Sequence, residues 1–387
     1  QRGRGRAGRG VCGRAGAGRG GDWALEVASG SIEAAPVLQA SALAGYDFVL
    51  HTATASTLAE LKAAIASAQG DGAHDLIALT GDIVFASALD TVKIHVTDGH
   101  TLRLVGGGYT LSGNDLARVL EVNTTGVGSA VEISGLTIAK GLVAGAGGGA
   151  SVGYYSNAGH GGDALGAGIW NQGALTLVGS AVTGNRAAGG GGGGVGGGDE
   201  GGTPGRTGNT STDPNFNYDN FYGNEQPTKH HAGGLASDGV SAIGGGGGSS
   251  GYRGGLFDTA QKAGRGGHAV GGIYNSGTLT LLGTDFSGNL GAGGGGGSGI
   301  TLWPEFVSGN GGTGVGSLWN AGGSVRMDAS TQGALTTGNS GAGGKVELNS
   351  WYHPLALVGQ SIAGLHSPAG TVDTNYTPPP AILSAAY

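Results

Sequence analysis

The stretch DPNFNYDNFYGNE, residues 213–225, sets Asp213, Asn215, Asn217 and Asp219 at every second position. Oxygen-bearing side chains at alternate positions are the donors with which a loop wraps a hard cation, as in the first half of an EF-hand loop. Ca2+ is therefore the cofactor this stretch predicts. The pattern then departs from such a loop. Tyr218 stands where the turn glycine is expected, Asn224 stands where the bidentate acid belongs, with Glu225 one later, and no helical pattern flanks the segment. Four aromatics share it: Phe216, Tyr218, Phe221 and Tyr222. They serve either as a contact surface for a partner or as an anchor folding back on the body of the chain. His230 and His231 follow, but adjacent histidines point apart and no third soft ligand lies nearby, which argues against zinc there.

The composition around these residues narrows the possible classes. Of 387 residues 91 are Gly and 10 are Pro, with no Gly-X-Y period, which excludes collagen. Apolar residues at 38% and charged residues at 12% leave too little charge for a conventional disordered chain. No apolar run approaches the roughly 18 residues of a membrane-spanning helix. The lone Cys12 forbids an internal disulfide. Charge is segregated: residues 1–21 carry six Arg and no acid, whereas the whole chain has a net charge of −7, so the body is acidic. A nucleic-acid partner is not expected, because no aromatic interleaves the arm before Trp23 and the body repels a polyanion. The arm is either a tail or a segment that lies on the acidic surface of its own or a neighbouring chain.

After a linker or first strands at 22–45, a β-rich body is expected over 46–354. TLAELKAAIASA, starting at Thr57, puts Leu58, Leu61 and Ile65 on one helical face, and Thr57 with Glu60 has capping-box spacing. It is the only convincing helix. LIALTGDIVF, KIHVTDGHTLRLVG, RVLEVN and AVEISGLTIAKG alternate apolar with small or polar residues and are broken by Gly, Asn or Asp, which predicts short strands. IWNQGALTLVGSAVTGN from Ile169 returns as IYNSGTLTLLGTDFSGN from Ile273, and more loosely from Leu318. Self-similarity of this kind predicts a repeat fold with Leu175, Leu177, Leu279 and Leu281 pointing inward. Asn171, Asn275 and Asn320, and Asn185, Asn289 and Asn339, are expected at turns, where Asn tolerates left-handed backbone and can hydrogen-bond its own loop.

The order of STLAELKAAIASAQGDGAHDLIALTGDIVF, HTLRLVGGGYTLSGNDLARVLEVN and SAVEISGLTIAKG, with the later GxIxNxGxLTLxGxxxxGN copies, resembles bacterial extracellular right-handed parallel β-helix proteins. These are the proteins related to polymorphic outer-membrane proteins and large surface adhesins. The resemblance spans roughly residues 50–345. It implies an all-β, right-handed parallel β-helix with an N-terminal capping helix and Gly-rich insertions on one face. The glycine runs at 144–149, 189–198, 244–248, 293–297 and 341–344 fall after repeat ends. They are either flexible loops or tracts packed side by side as polyproline-II strands. The largest insertion covers about 199–268, and 355–387 form a tail.

This scaffold hosts adhesins, autotransporter passengers and polysaccharide enzymes alike. Catalysis needs clustered carboxylates, yet Asp285 aligns with Ala181, Asp328 has no counterpart, and Asp163, Asp199 and Glu200 sit in Gly-rich loops with no fixed geometry. The expectation is a non-enzymatic extracellular or cell-surface structural or adhesive protein. It would associate head to tail into a filament or surface layer, and cell-surface glycans are candidate partners. The alternative is a polysaccharide-binding or polysaccharide-cleaving enzyme.

Overall fold

The structure is a computed structural model that describes residues 50–151, 157–194, 244, 263–297, 309–344 and 359–378. The Arg-rich arm, the segment 22–45 and nearly all of the 199–268 insertion lie outside the described residues.

The period-two runs form strands, and every strand pairing described is parallel. The chain passes round three faces repeatedly, and each strand bonds its counterpart in the next round. The first face stacks Val92–Val96, Leu120–Thr124, Ile169–Asn171 and Ile273–Asn275 onto the front half of Leu318–Met327. The second stacks Leu50–Ala55, His74–Leu79, Thr101–Val105, Ala130–Ser134, Ala174–Val178 and Thr278–Leu282 onto its rear half. The third runs from Ile83–Val84 to Asp285–Ser287. The architecture is all-β, parallel and solenoid-like. Its register follows the repeats, with Ile169 opposite Ile273 and Leu175 opposite Leu279.

Inward positions of the second face make a column of Leu102, Leu104, Val131, Ile133, Leu175, Leu177, Leu279, Leu281, Val325 and Met327, none more than 2% exposed. Each such side chain contributes about 1.5–3 kcal/mol by leaving water. Helix α1 (Leu58–Ala68) buries Leu61, Ile65 and Ala68 against this core and packs on the earliest strands of the first two faces. Its start is a capping box: Thr57 Oγ1 accepts from Glu60 N–H at 3.2 Å, and the Glu60 carboxylate accepts from Thr57 N–H at 3.1 Å. A second helix, α2 (Ala329–Ala334), corrects the expectation of a single helix. It occupies the place of the third-face strand in the last copy. Its six residues carry no apolar stripe to announce them, and Asp328 starts it by accepting from Thr331 N–H at 2.9 Å. Strands also continue beyond 354: Ser361–Ile362 and Leu365–Asp373 add one more round to the same sheets, within the segment expected as a tail.

Asn171, Asn275 and Asn320 bond their own turns as expected, donating to the carbonyls of Gly173, Gly277 and Gly323, but none of the repeat asparagines is left-handed. Gly184, Gly288 and Gly338 before them take the positive φ of 62°, 63° and 65°. The asparagines instead form two buried ladders between rounds. Asn171 donates to Asn275 at 2.7 Å and Asn275 to Asn320 at 2.9 Å; Asn185 donates to Asn289, and Asn289 to Asn339, both at 2.9 Å. A primary amide both donates and accepts, so identical residues stacked one round apart satisfy each other where water cannot reach.

The glycine tracts are packed. From Leu142–Ala144 onward, rounds leave the body through a strand such as Arg186–Ala188 or Leu290–Ala292 and continue into an outbound tract. The chain then comes back along a second tract into a strand such as Ala269–Val270 or Gly314–Val315. Hydrogen bonds between tracts recur at every third residue, the period of polyproline II. Gly145, Gly148 and Ser151 donate to Ala188, Gly191 and Gly194 of the next outbound tract. Gly190 and Gly193 donate to Gly162 and Gly159 of a returning, antiparallel one, and Gly267 and Gly264 donate to Gly190 and Gly193 in turn. Gly189 and Gly192 donate to Ala292 and Gly295, so the tract 189–194 bonds four others. Such an assembly has no room for side chains: a Cβ on Gly190 would lie 1.9 Å from the Ala146 carbonyl oxygen.

Candidate functional site

The predicted calcium donors Asp213, Asn215, Asn217 and Asp219, and the aromatics Phe216, Tyr218, Phe221 and Tyr222, lie outside the described residues. Among the described residues, polar and aromatic side chains gather elsewhere, at the corner where returning tracts re-enter the first face. The strand register there puts Trp170, Tyr274, Trp319 and His366 one above another. Their rings meet at an angle: 6.4 Å between centroids for Trp170–Tyr274, 6.4 Å for Tyr274–Trp319 and 4.6 Å for Trp319–His366. Arg118 extends the column, its guanidinium 4.6 Å from the Trp170 ring centroid.

The returning tracts supply the second wall through a repeated pattern, a polar residue, two glycines and a second polar residue: His160-Gly-Gly-Asp163, Arg265-Gly-Gly-His268 and Asn310-Gly-Gly-Thr313. The glycines stay in the packed layer while the outer residues stack in two columns. Three of these side chains accept from the backbone of the next round. His160 Nδ1 accepts from Arg265 N–H at 3.0 Å, Asp163 from His268 N–H at 2.8 Å and His268 Nδ1 from Thr313 N–H at 2.9 Å. An Nδ1 that accepts leaves the proton of the neutral ring on Nε2, as a donor. Asp163 also holds Arg265 at 3.0 and 3.3 Å. Burial raises the Asp163 carboxyl, but the Arg265 and His268 hydrogen bonds outweigh it and hold the group below the ordinary range. The expectation that Asp163 has no fixed geometry is thereby corrected.

Between the walls lies a groove of about 610 Å³, lined by Arg265, His268, Asn310, Trp319, Gln360 and His366 with Thr313 and backbone glycines. That volume suits a small organic ligand. Trp319 is 9% exposed, and its indole N–H has no hydrogen-bond partner.

Burial holds the His366 imidazole below its ordinary range. It does the same to His268, where Arg265 and His366 push the same way and Asp163 opposes them. A lowered folded-state pKa means that the unfolded chain takes up the proton first. The contribution of these groups to stability is complete above about pH 6.5 and lost as pH falls through the folded-state values. The melting temperature should fall between pH 7.5 and 5, and the fall should be smaller in His268→Gln. An identical pH dependence in that variant would rule out the assignment.

The repeated aromatic position is visible in the sequence. The polar columns escape notice because His, Arg and Asn share a place but no identity. Only lining the segments up on their Gly-Gly pairs brings them together.

A second constellation lies at the far end of the solenoid. His51 Nδ1 is 3.2 Å from Asp75 Oδ1 and 3.7 Å from Asp71 Oδ2. Among the described residues it is the one His/Cys/Asp/Glu group of three tight enough to hold a metal ion. Comparison of the chain with protein families, with curated proteins and with solved structures finds no match.

Proposed function

We propose that this chain is a non-enzymatic extracellular or cell-surface adhesive protein, a right-handed parallel β-helix whose corner groove binds a neutral glycan. The right-handed form is favoured because crossovers between parallel strands of one sheet take that hand in about 98% of cases. The surface location rests on the resemblance to bacterial surface proteins. The observation that carries the binding reading is the groove lining. The Trp319 ring, two neutral imidazoles and the amides of Asn310 and Gln360 face one space that spans successive rounds, and among the described residues no carboxylate is in the lining. Amides and imidazole N–H groups match hydroxyls, the apolar Trp319 ring surface matches the C–H face of a pyranose, and the spacing of about 4.8 Å per round suits a linear polymer. Asp163, bonded to Arg265 and His268 of the lining, is held ionised by Arg265, which favours binding over the general acid–base hydrolysis of the alternative reading.

Head-to-tail association is a second reading. The outer edge of Leu365–Asp373 has no strand partner among the described residues, although Pro368 and two shifts of register blunt it.

The experiment is affinity measurement against a panel of neutral and acidic polysaccharides, with reducing ends and particle size followed in the same samples. Asn310→Ala with Gln360→Ala, both at exposed positions, should weaken binding of a neutral glycan by about tenfold or more. Unchanged binding in that variant removes the groove from the reading, and reducing ends released in step with groove occupancy would make the protein an enzyme.

A further inference from the structure

We propose that His51, Asp71 and Asp75 form a site for a divalent transition-metal ion of the zinc class, set where the solenoid begins. The three come together through the fold. His51 and Asp75 are direct neighbours in the parallel register of the first two second-face strands. Asp71 precedes the second of these, its side chain oriented by accepting from Ala73 N–H at 2.9 Å. All three ligand atoms lie within 4.8 Å of one another.

The distances suit the ion. Tetrahedral zinc with bonds of about 2.0–2.1 Å separates its ligand atoms by roughly 3.3 Å. The two His51 separations, 3.2 and 3.7 Å, bracket that edge. One imidazole with two carboxylates is a donor set for zinc-like ions, whereas Ca2+ and Mg2+ take oxygen alone.

Charge points the same way. Asp75 sits on the inward-facing side of its strand with Ile77 and Leu79 and is 3% exposed. The Asp71 carboxylate and the His51 imidazole lie within 4.8 Å of its own ligand atom. Asp98 adds further negative charge from the adjoining round. A buried carboxylate among other acids is stabilised by a cation, and among the described residues its side-chain partner is the His51 imidazole. His51 and Asp71 side chains are 46% and 32% exposed, which leaves a path from solvent and a coordination position for water. The bound ion would tie the first strand of the solenoid to the loop beneath it, at the end where strands otherwise fray.

The test is equilibrium dialysis of the full chain against Zn2+, with the bound metal counted, for the wild type, His51→Ala and Asp75→Asn. The wild type should bind one equivalent more than either variant, or bind that equivalent at least about tenfold more tightly. Excess Ca2+ or Mg2+ should not displace it, and zinc should raise the melting temperature of the wild type only. The metal-free circular dichroism spectrum and melting temperature of His51→Ala are measured alongside, so that lost binding is separated from lost folding. No zinc bound by the wild type, or equal stoichiometry and affinity in His51→Ala, overturns the proposal.

Discussion

Replacing Gly294 by alanine is expected to destabilise the protein by about 3 kcal/mol or more, a loss that thermal or denaturant unfolding measures directly. The added Cβ would lie 1.9 Å from the Gly190 carbonyl oxygen and 2.5 Å from its carbon. These are backbone atoms and cannot swing aside like the end of a side chain. The same Gly190 oxygen accepts from Gly267 N–H at 2.7 Å, so moving it breaks a second contact. Gly294 itself donates to Gly267 and accepts from Gly312, which links the outbound tract to two returning ones. Relief by a local shift is therefore passed to neighbouring tracts. Gly149→Ala is the comparison. No atom lies within 4 Å of its Cβ position and its φ is not left-handed, so it should be neutral or stabilise by about 0.4–1 kcal/mol through the unfolded chain. Equal behaviour of the two variants would mean that the tracts are flexible loops and not a packed layer.

The sequence disclosed the solenoid more fully than it disclosed the site, and particular residues show why. Period-two alternation in KIHV and TLRLV states which side chain faces inward, and burial follows it residue by residue. Repetition sets the register, because a residue and its copy occupy one column, as Leu175 and Leu279 do. Two features were legible as patterns but not as interactions. The Gly-Asn pairs were visible, yet a turn asparagine and a ladder asparagine look alike until rounds are stacked. Only then does Asn185 meet a residue 104 positions away. The glycine runs were equally visible, but glycine is compatible with disorder and with the closest packing alike. The choice depends on which other tracts lie alongside. Helix α2 escaped notice because a short capped turn with Gly333 in it has no periodicity to detect. The groove was least legible: His268, Thr313, Trp319 and His366 belong to separate segments, joined only by the return of the chain to one corner.

Replacing Asn289 by leucine, a side chain of the same branching with bulkier methyl ends, should cost about 3 kcal/mol or more, because it removes the middle rung of a buried ladder. Asn289 is fully buried. Its Oδ1 accepts from both the Nδ2 and the backbone N–H of Asn185, at 2.9 and 3.2 Å. Its Nδ2 donates to the Asn339 amide at 2.9 Å and to the Val182 carbonyl at 2.8 Å. Leucine offers none of these bonds, so donors on one side and acceptors on the other are stranded together, each costing about 1–3 kcal/mol if water cannot follow. Position along the ladder makes the prediction discriminating. Asn339, 8% exposed, ends the row and shares its amide with Leu335 and Thr337 carbonyls nearby, so Asn339→Leu should cost less than Asn289→Leu. Thr183→Ala removes a hydroxyl contact to Ser287 at the same level of the solenoid, but at the surface, and should cost under about 1 kcal/mol. A rank order of Asn289, then Asn339, then Thr183 in denaturant midpoints is the expected result. If Asn289→Leu matches Thr183→Ala, stacking of the aliphatic column alone holds successive rounds together and the ladder contributes nothing to it.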